Sequence, residues 1–429
     1  MKRIFCLICL TAGLNCALAQ NYHVREDVLS DISKTSGMEM PYKFDSQIST
    51  PAPKGYKPFY ISHYGRHGSR YAWSTKFYTV PLEVFTDAHN EGMLTPRGEQ
   101  FYSDFIDFYK VPLINYGDLV QKGWDQHERI AQIMYDSFPE VLKGEKKVEA
   151  IVSTSPRAIV SMSSFCLGLK QKNPKLDIYQ SSTHTGLAVV TPSSAPAELR
   201  EEHVGFKPEE IERFESREEF GKRTGNYDVI CARLFKDPDF PDRYEGGKHE
   251  FILHLFGLVC GYHNYEDRPL FDDIFTAEEM ERIWEVNNYS SFLYDIHNRW
   301  LNVPLLRDII EKADKAISGE NTNAADLRFG HDYVLEAFNA LINIDGCGTI
   351  PETSDDVKYW VQSYNISHAA NDQFIFYKSR RGGDVLFKLL LNGREASLPQ
   401  LTPVSGPYYR WNDFKAWAHE MLLQHPVVE

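Results

Sequence analysis

The chain reads as an α/β protein, a mainly parallel sheet flanked by helices and interrupted by a helical segment. Three observations predict this. Short β-type runs alternate with amphipathic helical patterns before residue 195 and again after residue 301. Three of those runs lead directly into polar stretches that precede a helix. Between them, residues 196–300 carry dense charge at helical spacing with little β signal, which marks them as an inserted helical cap domain on a two-part α/β domain, 20–195 and 301–429.

Taken in order, the first nineteen residues hold Lys2 and Arg3, the apolar stretch IFCLICLTAGL and then Ala17-Leu18-Ala19, a pattern of a signal peptide cleaved after Ala19. A periplasmic or secreted protein is expected, and no later stretch is long enough to span a membrane. Residues 20–57, polar and with prolines at 41, 51 and 53, read as a peripheral lead-in. FYIS (59–62) is a strand. Thr95-Pro96 opens a helix, with threonine as the cap and proline at the first helical position, and Phe101, Phe105 and Phe108 fall on one face. A further helix carries Ile130, Ile133, Met134 and Phe138. VEAIVST (148–154) is the second strand, followed by a helix through Ile159, Met162, Phe165 and Leu169. In the cap, Thr276 and Glu279 form a capping box. DLRFG (326–330) leads into a helix through Val334, Leu335 and Phe338, and FIFYKSR with VLFKLLL forms a closing hairpin.

Composition narrows the partners. With 46 basic against 60 acidic side chains the formal charge is −14, and loss of residues 1–19 removes only basic ones. So acidic a chain argues against nucleic acid, which selects cationic surfaces. It also means that a cluster of arginines has to be local. Cys166, Cys231, Cys260 and Cys347 lie too far apart for a zinc pattern and leave one or two disulfides open.

The polar stretches carry the chemistry. After FYIS comes HYGRHGSR (63–70), after VEAIVST comes Ser155-Pro156-Arg157, and after DLRFG comes His331-Asp332. Ligands of open α/β sheets bind at the carboxyl ends of strands, so the three segments can converge there. Arg66, Arg70 and Arg157 would clamp the oxygens of a phosphoryl group through charge-assisted hydrogen bonds. Their charge would keep His67 neutral and nucleophilic, so that it attacks phosphorus to give a phosphohistidine, and Asp332 would protonate the leaving alkoxide. Gly68 would let the backbone approach the phosphate. Each piece alone has a plainer reading: an Arg-x-x-x-Arg spacing is often a solvated face, Arg157 a helix-start surface residue, and Asp332 a helix cap. Their shared setting of strand, polar loop and helix favours the joint reading. His63 and His67 also stand at the HxxxH spacing of zinc sites, but the β-type run and Gly65 oppose the helix that spacing needs, so no metal is expected.

R-H-G-x-R, a later arginine after a strand, and G-H-D before a helix resemble the histidine acid phosphatases across most of the chain. LTPRG (94–98) and TSPRAIVS (154–161) add to the likeness, and VLFKLLLNGREASLP (385–399) resembles the closing hairpin of the multiple inositol polyphosphate phosphatase or phytase branch. The resemblance implies His67 as nucleophile, Asp332 as proton donor, and phosphate bound by Arg66, Arg70, Arg157 and His331, with no metal or organic cofactor. It implies a small-molecule phosphate ester as substrate, phytate or another inositol phosphate, with a broad acid phosphatase for sugar or nucleotide monoesters as the alternative. A metal-dependent hydrolase and a non-catalytic anion-binding protein are the readings of other classes. Two positions depart from the pattern: Ala72 stands where the family has proline, and His331-Asp332-Tyr333 replaces the H-A-E of the inositol polyphosphate branch.

Overall fold

The computed structural model describes residues 28, 30–44, 49–200, 211–360 and 365–424. The signal sequence expected over residues 1–19 lies outside them. One mixed sheet organises the chain. Its strands are β1 (Tyr56–Arg66), β2 (Lys147–Val152), β3 (Asp177–Ser182), β4 (Asn323–Gly330), β5 (Asn371–Ser379), β6 (Leu386–Leu391) and β7 (Arg394–Ala396), in the order β3-β2-β4-β1-β5-β6-β7. A short β8 (Tyr409–Arg410) pairs with β6. From β3 to β1 the pairing is parallel, and from β1 onward it is antiparallel. The predicted hairpin is therefore present and extends the parallel half as a second, antiparallel half.

Alternation along the strands explains why the sheet is covered on both faces. Tyr60 and Tyr64 enter one apolar core with Leu305, Leu335, Phe338 and Trp411. Ile61, between them, points the other way, into a core with Ile130, Met162, Phe165 and Phe329. A third core joins Phe85 and Phe101 to Leu234, Phe251 and Trp284. Thus the helices Lys76–Asn90 and Pro96–Phe108 pack with the helices of the charged central segment, although they precede it in sequence. Both forecast caps form: Thr95 Oγ1 accepts from the Gly98 amide at 3.1 Å, and Thr276 and Glu279 cap each other.

Three expectations change. The first strand does not stop at Ser62 but runs to Arg66, so His63 through Arg66 are sheet residues. The lead-in is not peripheral: Val28, Met40 and Tyr42 are buried, and Ile32–Glu39 forms a 3-10 turn against the core. The four cysteines are free and buried, shared among the three cores. Among the described residues no helix is long and apolar enough to cross a membrane.

Candidate active site

Strand register brings the three polar stretches together. Arg66, the last residue of β1, lies opposite Gly330, the last of β4, and Val152, the last of β2, lies opposite Phe329. The parallel strands therefore end at one edge, and the three polar segments leave the sheet from the same place. The His67 amide continues the ladder to the Gly330 carbonyl at 3.0 Å, and the Ser153 amide to the Phe329 carbonyl at 3.1 Å. On the other side, the Arg66 amide donates to Ala370 and the Ala369 amide to His67.

Two glycines make the approach feasible. A Cβ on Gly68 would meet the Gly123 carbonyl oxygen at 2.4 Å, and one on Gly330 would meet the Tyr64 hydroxyl at 2.1 Å. Gly68 is thus needed for packing of the loop against the helix Gln121–Ser137, and its amide is taken by Ser161 Oγ at 3.0 Å. This replaces the expectation that Gly68 serves close approach to a phosphate. Ser161 Oγ in turn donates to the Arg157 carbonyl, which ties the first loop to the second.

His67 is 1 % exposed, not facing open solvent. Its Nδ1 lies 3.0 Å from the Gly68 carbonyl, an acceptor only, so that nitrogen carries the proton and Nε2 is left with a lone pair. Burial, and then the charges of Arg66, Arg70 and Arg157, hold the imidazole well below its ordinary range of protonation. The ring centre of His331 lies 5.6 Å away and that of His368 5.7 Å away. His331 bonds Ser153 Oγ through Nε2 at 3.0 Å and stacks on Tyr333, while burial and Arg157 bring its pKa down to about 4.

The arginines differ in their attachments. Arg66 is fully buried, donates through Nη1 to the carbonyls of Met38 and Ile366, and pairs through Nη2 with Asp332 at 2.6 Å. Arg70 forms a two-pronged bond with Glu39, at 2.9 and 3.3 Å. Arg157, second residue of the helix Pro156–Lys172, is partly exposed, and its buried Nε bonds no acceptor among the described residues. Asp332 opens the helix Asp332–Leu341, where the macrodipole favours a carboxylate, and its Oδ1 accepts from the Tyr333 amide at 2.9 Å. Burial alone would raise its pKa, but Arg66 and Arg70 outweigh burial and hold it down at about 2.

All six residues expected from the sequence therefore belong to one electrostatic neighbourhood. Two more belong to it that the sequence does not point out. Glu39 accepts from Arg70 and from His368 Nε2, the latter at 3.3 Å; burial opposes its charge, but Arg70 and His368 keep it ionised. His368 is fully buried, and burial followed by Arg66 brings its pKa to about 3. No motif marks either, since both arrive from segments distant in sequence. A chain of side chains, Gln126, Ser69 and Asn264, fixes the loop from behind: the Ser69 amide donates to Gln126, Ser69 Oγ to Asn264, and Asn264 to the Glu39 carbonyl.

Other expectations fall elsewhere. His63 lies between Phe165 and Phe329, with ring centres 5.1 Å from each, and among the described residues no group of three His, Cys, Asp or Glu is disposed to hold a metal. Arg213, Arg217, Lys222 and Arg223, basic residues of the charged central segment, are engaged by Pro351, Ser290, Glu218, and Glu215 with Asp355 on their own surface; Lys207 lies outside the described residues.

Neither a family model nor a curated protein matches the sequence. Solved structures do. The multiple inositol polyphosphate phosphatase of Bifidobacterium longum, in its apo form, superposes with a TM-score of 0.74 at 16% identity, over 92% of this chain and 99% of that one. The same protein has been solved with inositol hexasulfate and with phosphate. The phytase from D. castellii gives a TM-score of 0.63 at 15% identity, over 91% and 85% of the two chains. The phytase of Hafnia alvei with tartrate gives 0.55 at 12% identity, over 86% and 98%. The α/β sheet with its flanking helices is thus the fold this chain shares with inositol polyphosphate phosphatase and phytases.

Proposed function

We propose that the chain is a phosphomonoesterase that hydrolyses inositol phosphates, phytate among them, through a phosphohistidine at His67. The observation that carries this reading is the pinned imidazole. Its Nδ1–H is held by the Gly68 carbonyl, and its Nε2 lone pair lies within the field of three guanidinium groups. A neutral nucleophile amid fixed cations suits a dianionic phosphoryl group, whose charge the arginines offset as it transfers.

In the first step Nε2 attacks phosphorus and the ester P–O bond breaks, the departing oxygen taking a proton from Asp332. In the second, water attacks the phosphohistidine, returns a proton to Asp332 and releases inorganic phosphate together with free His67. Before substrate arrives Asp332 is ionised and paired with Arg66. A bound phosphoryl group takes over that guanidinium, which removes the partner holding Asp332 charged and restores its affinity for a proton. The inositol phosphate substrate class is supported by the shared fold with proteins named for it. The same reading takes residues 1–19 as an export signal and 196–300 as a cap domain over the site.

The test is phosphate release across a panel of esters that includes phytate, sugar phosphates, nucleotides and 4-nitrophenyl phosphate, with and without chelator. Phytate is expected to be turned over and chelator to have no effect; loss of activity in chelator would point to a metal-dependent hydrolase, and phosphate binding without release to a non-catalytic protein. Asp332→Asn should slow alkyl phosphates by about 10²–10⁴-fold while sparing the aryl ester, whose leaving group needs no proton. Equal loss on both would remove Asp332 from the donor role.

A further inference from the structure

Two of the three site arginines meet a carboxylate, and the two contacts are built differently. Asp332 lies 2.6 Å from Arg66 Nη2, yet that nitrogen makes no aligned hydrogen bond among the described residues. Glu39 accepts aligned bonds on both oxygens, from Arg70 Nη2 at 2.9 Å and Nη1 at 3.3 Å, and its Oε2 accepts from His368 Nε2 at 3.3 Å as well. The backbone around Glu39 is fixed too. The carbonyl of Met38 accepts from Arg66 Nη1, that of Glu39 from Asn264 at 2.7 Å, and that of Met40 from the His368 amide at 3.0 Å. Three consecutive carbonyls are thus taken by three residues in or behind the site, which leaves Glu39 no freedom to withdraw.

The nitrogens left over show what this arrangement presents. Arg70 turns both Nη atoms to Glu39, with Nη1 also donating to the Tyr71 carbonyl at 3.1 Å, and its buried Nε bonds no acceptor among the described residues. The Nε atoms of Arg66 and Arg157 are buried and unpartnered in the same way. A buried N–H group costs free energy until an acceptor meets it, so three such donors on the arginines that act on His67 suit an arriving anion. Two of the three cations, meanwhile, already have a counter-ion before any ligand binds.

We propose that Glu39 is a positioning residue that stays with Arg70 throughout the reaction: it leaves the Nε–H of Arg70 for the phosphoryl group and offsets the arginine's charge, so that inorganic phosphate is held loosely enough to depart. The two carboxylates then have opposite parts. Asp332 yields Arg66 to the ligand and becomes the acid, whereas Glu39 would have to break two bonds to Arg70 and one to His368 to do the same. Three uncompensated guanidinium groups would grip the product as firmly as the group in transfer, and binding of that uniform kind does not speed turnover. A fixed negative charge behind Arg70 lowers the affinity for the free anion without removing a donor.

This inference rests on the phosphomonoesterase reading, and the experiment separates the two. Inorganic phosphate is titrated calorimetrically into the wild type and Glu39→Gln, and its inhibition of 4-nitrophenyl phosphate hydrolysis is measured beside KM. Glutamine keeps an oxygen for Arg70 and offers its amide to the neutral His368 ring, so the contacts survive while the charge does not. Phosphate should bind the variant about tenfold more tightly, the size of effect that one nearby charge has on an anion, and KM should fall with it. A merely structural prop predicts the reverse, so unchanged or weaker phosphate binding would overturn the proposal. If Glu39→Gln does not fold, Arg70→Gln is compared with Arg70→Gln/Glu39→Gln, in which no buried charge is stranded. The double variant should bind phosphate about tenfold more tightly than the single one, whose carboxylate repels the anion unopposed, and equal or weaker binding would again overturn the role of Glu39. Failure of the wild type to release phosphate from any ester would instead overturn the reading of the site, and failure to bind phosphate at all would overturn both.

Discussion

Four residues apart along one stretch of chain, His63 and His67 meet opposite surroundings. Both are buried and both are held well below the ordinary protonation range of histidine. For His63 the cause is burial, followed by His127 and Arg328, in a setting of Phe165 and Phe329. For His67 it is burial followed by three arginines. A depressed proton affinity therefore does not identify a nucleophile, because burial alone produces one. What distinguishes His67 is its setting: a carbonyl fixes its tautomer, and three guanidinium groups act on its imidazole.

The comparison breaks first on activity. His67→Ala should reduce turnover by at least about 10³-fold with the fold intact, whereas His63→Leu, which trades a buried imidazole with an unpaired Nδ1 for an alkyl chain, should leave turnover within about twofold. Rates with 4-nitrophenyl phosphate beside circular dichroism decide this; comparable losses in both would make the surroundings irrelevant. Next in size is the placement of the loop. Gly68→Ala has to displace the Gly123 backbone, and a destabilisation of about 1–3 kcal/mol is expected from denaturant unfolding. A variant as stable as the wild type would show that the contact yields easily.

The smallest effect concerns acid. His127, beside His63, is brought by burial to about 3 from an ordinary 6.5. Between those values the unfolded chain holds a proton that the folded chain does not, so stability falls as pH falls from about 6.5 toward 3. In His127→Leu that fall should be shallower by up to about 1.4 kcal/mol per pH unit, read from thermal or urea unfolding at a series of pH values. An unchanged slope would mean that His127 titrates alike in both states.

Local pattern is what the sequence makes legible. β1, β2 and β4 announce themselves as apolar runs before polar loops, and Thr95, Pro96 and Thr276 mark helix starts through their own chemistry. β3 gives no such signal because it is a half-exposed edge strand, with Tyr179, Gln180 and Ser182 facing solvent. At the site, His67, Arg66, Arg70, Arg157, His331 and Asp332 can be found because each lies at or just beyond the end of a strand, and the sheet converts that position into proximity. Glu39 and His368 follow no strand; they reach the arginines through the chain's tertiary path, which no local spacing encodes.

β1 draws its hydrogen-bonding partners from the far end of the polypeptide, β4 at Asn323–Gly330 and β5 at Asn371–Ser379. During synthesis this apolar strand emerges early and waits, its edges open, for residues made much later; such long-range pairing slows folding and lengthens exposure to misassociation. A chain truncated near residue 360 would retain β4 but lose β5 and, with it, His368. Such a fragment would keep the six site residues but leave β1 without its antiparallel partner, so interrupted translation should yield inert protein rather than a weakened enzyme.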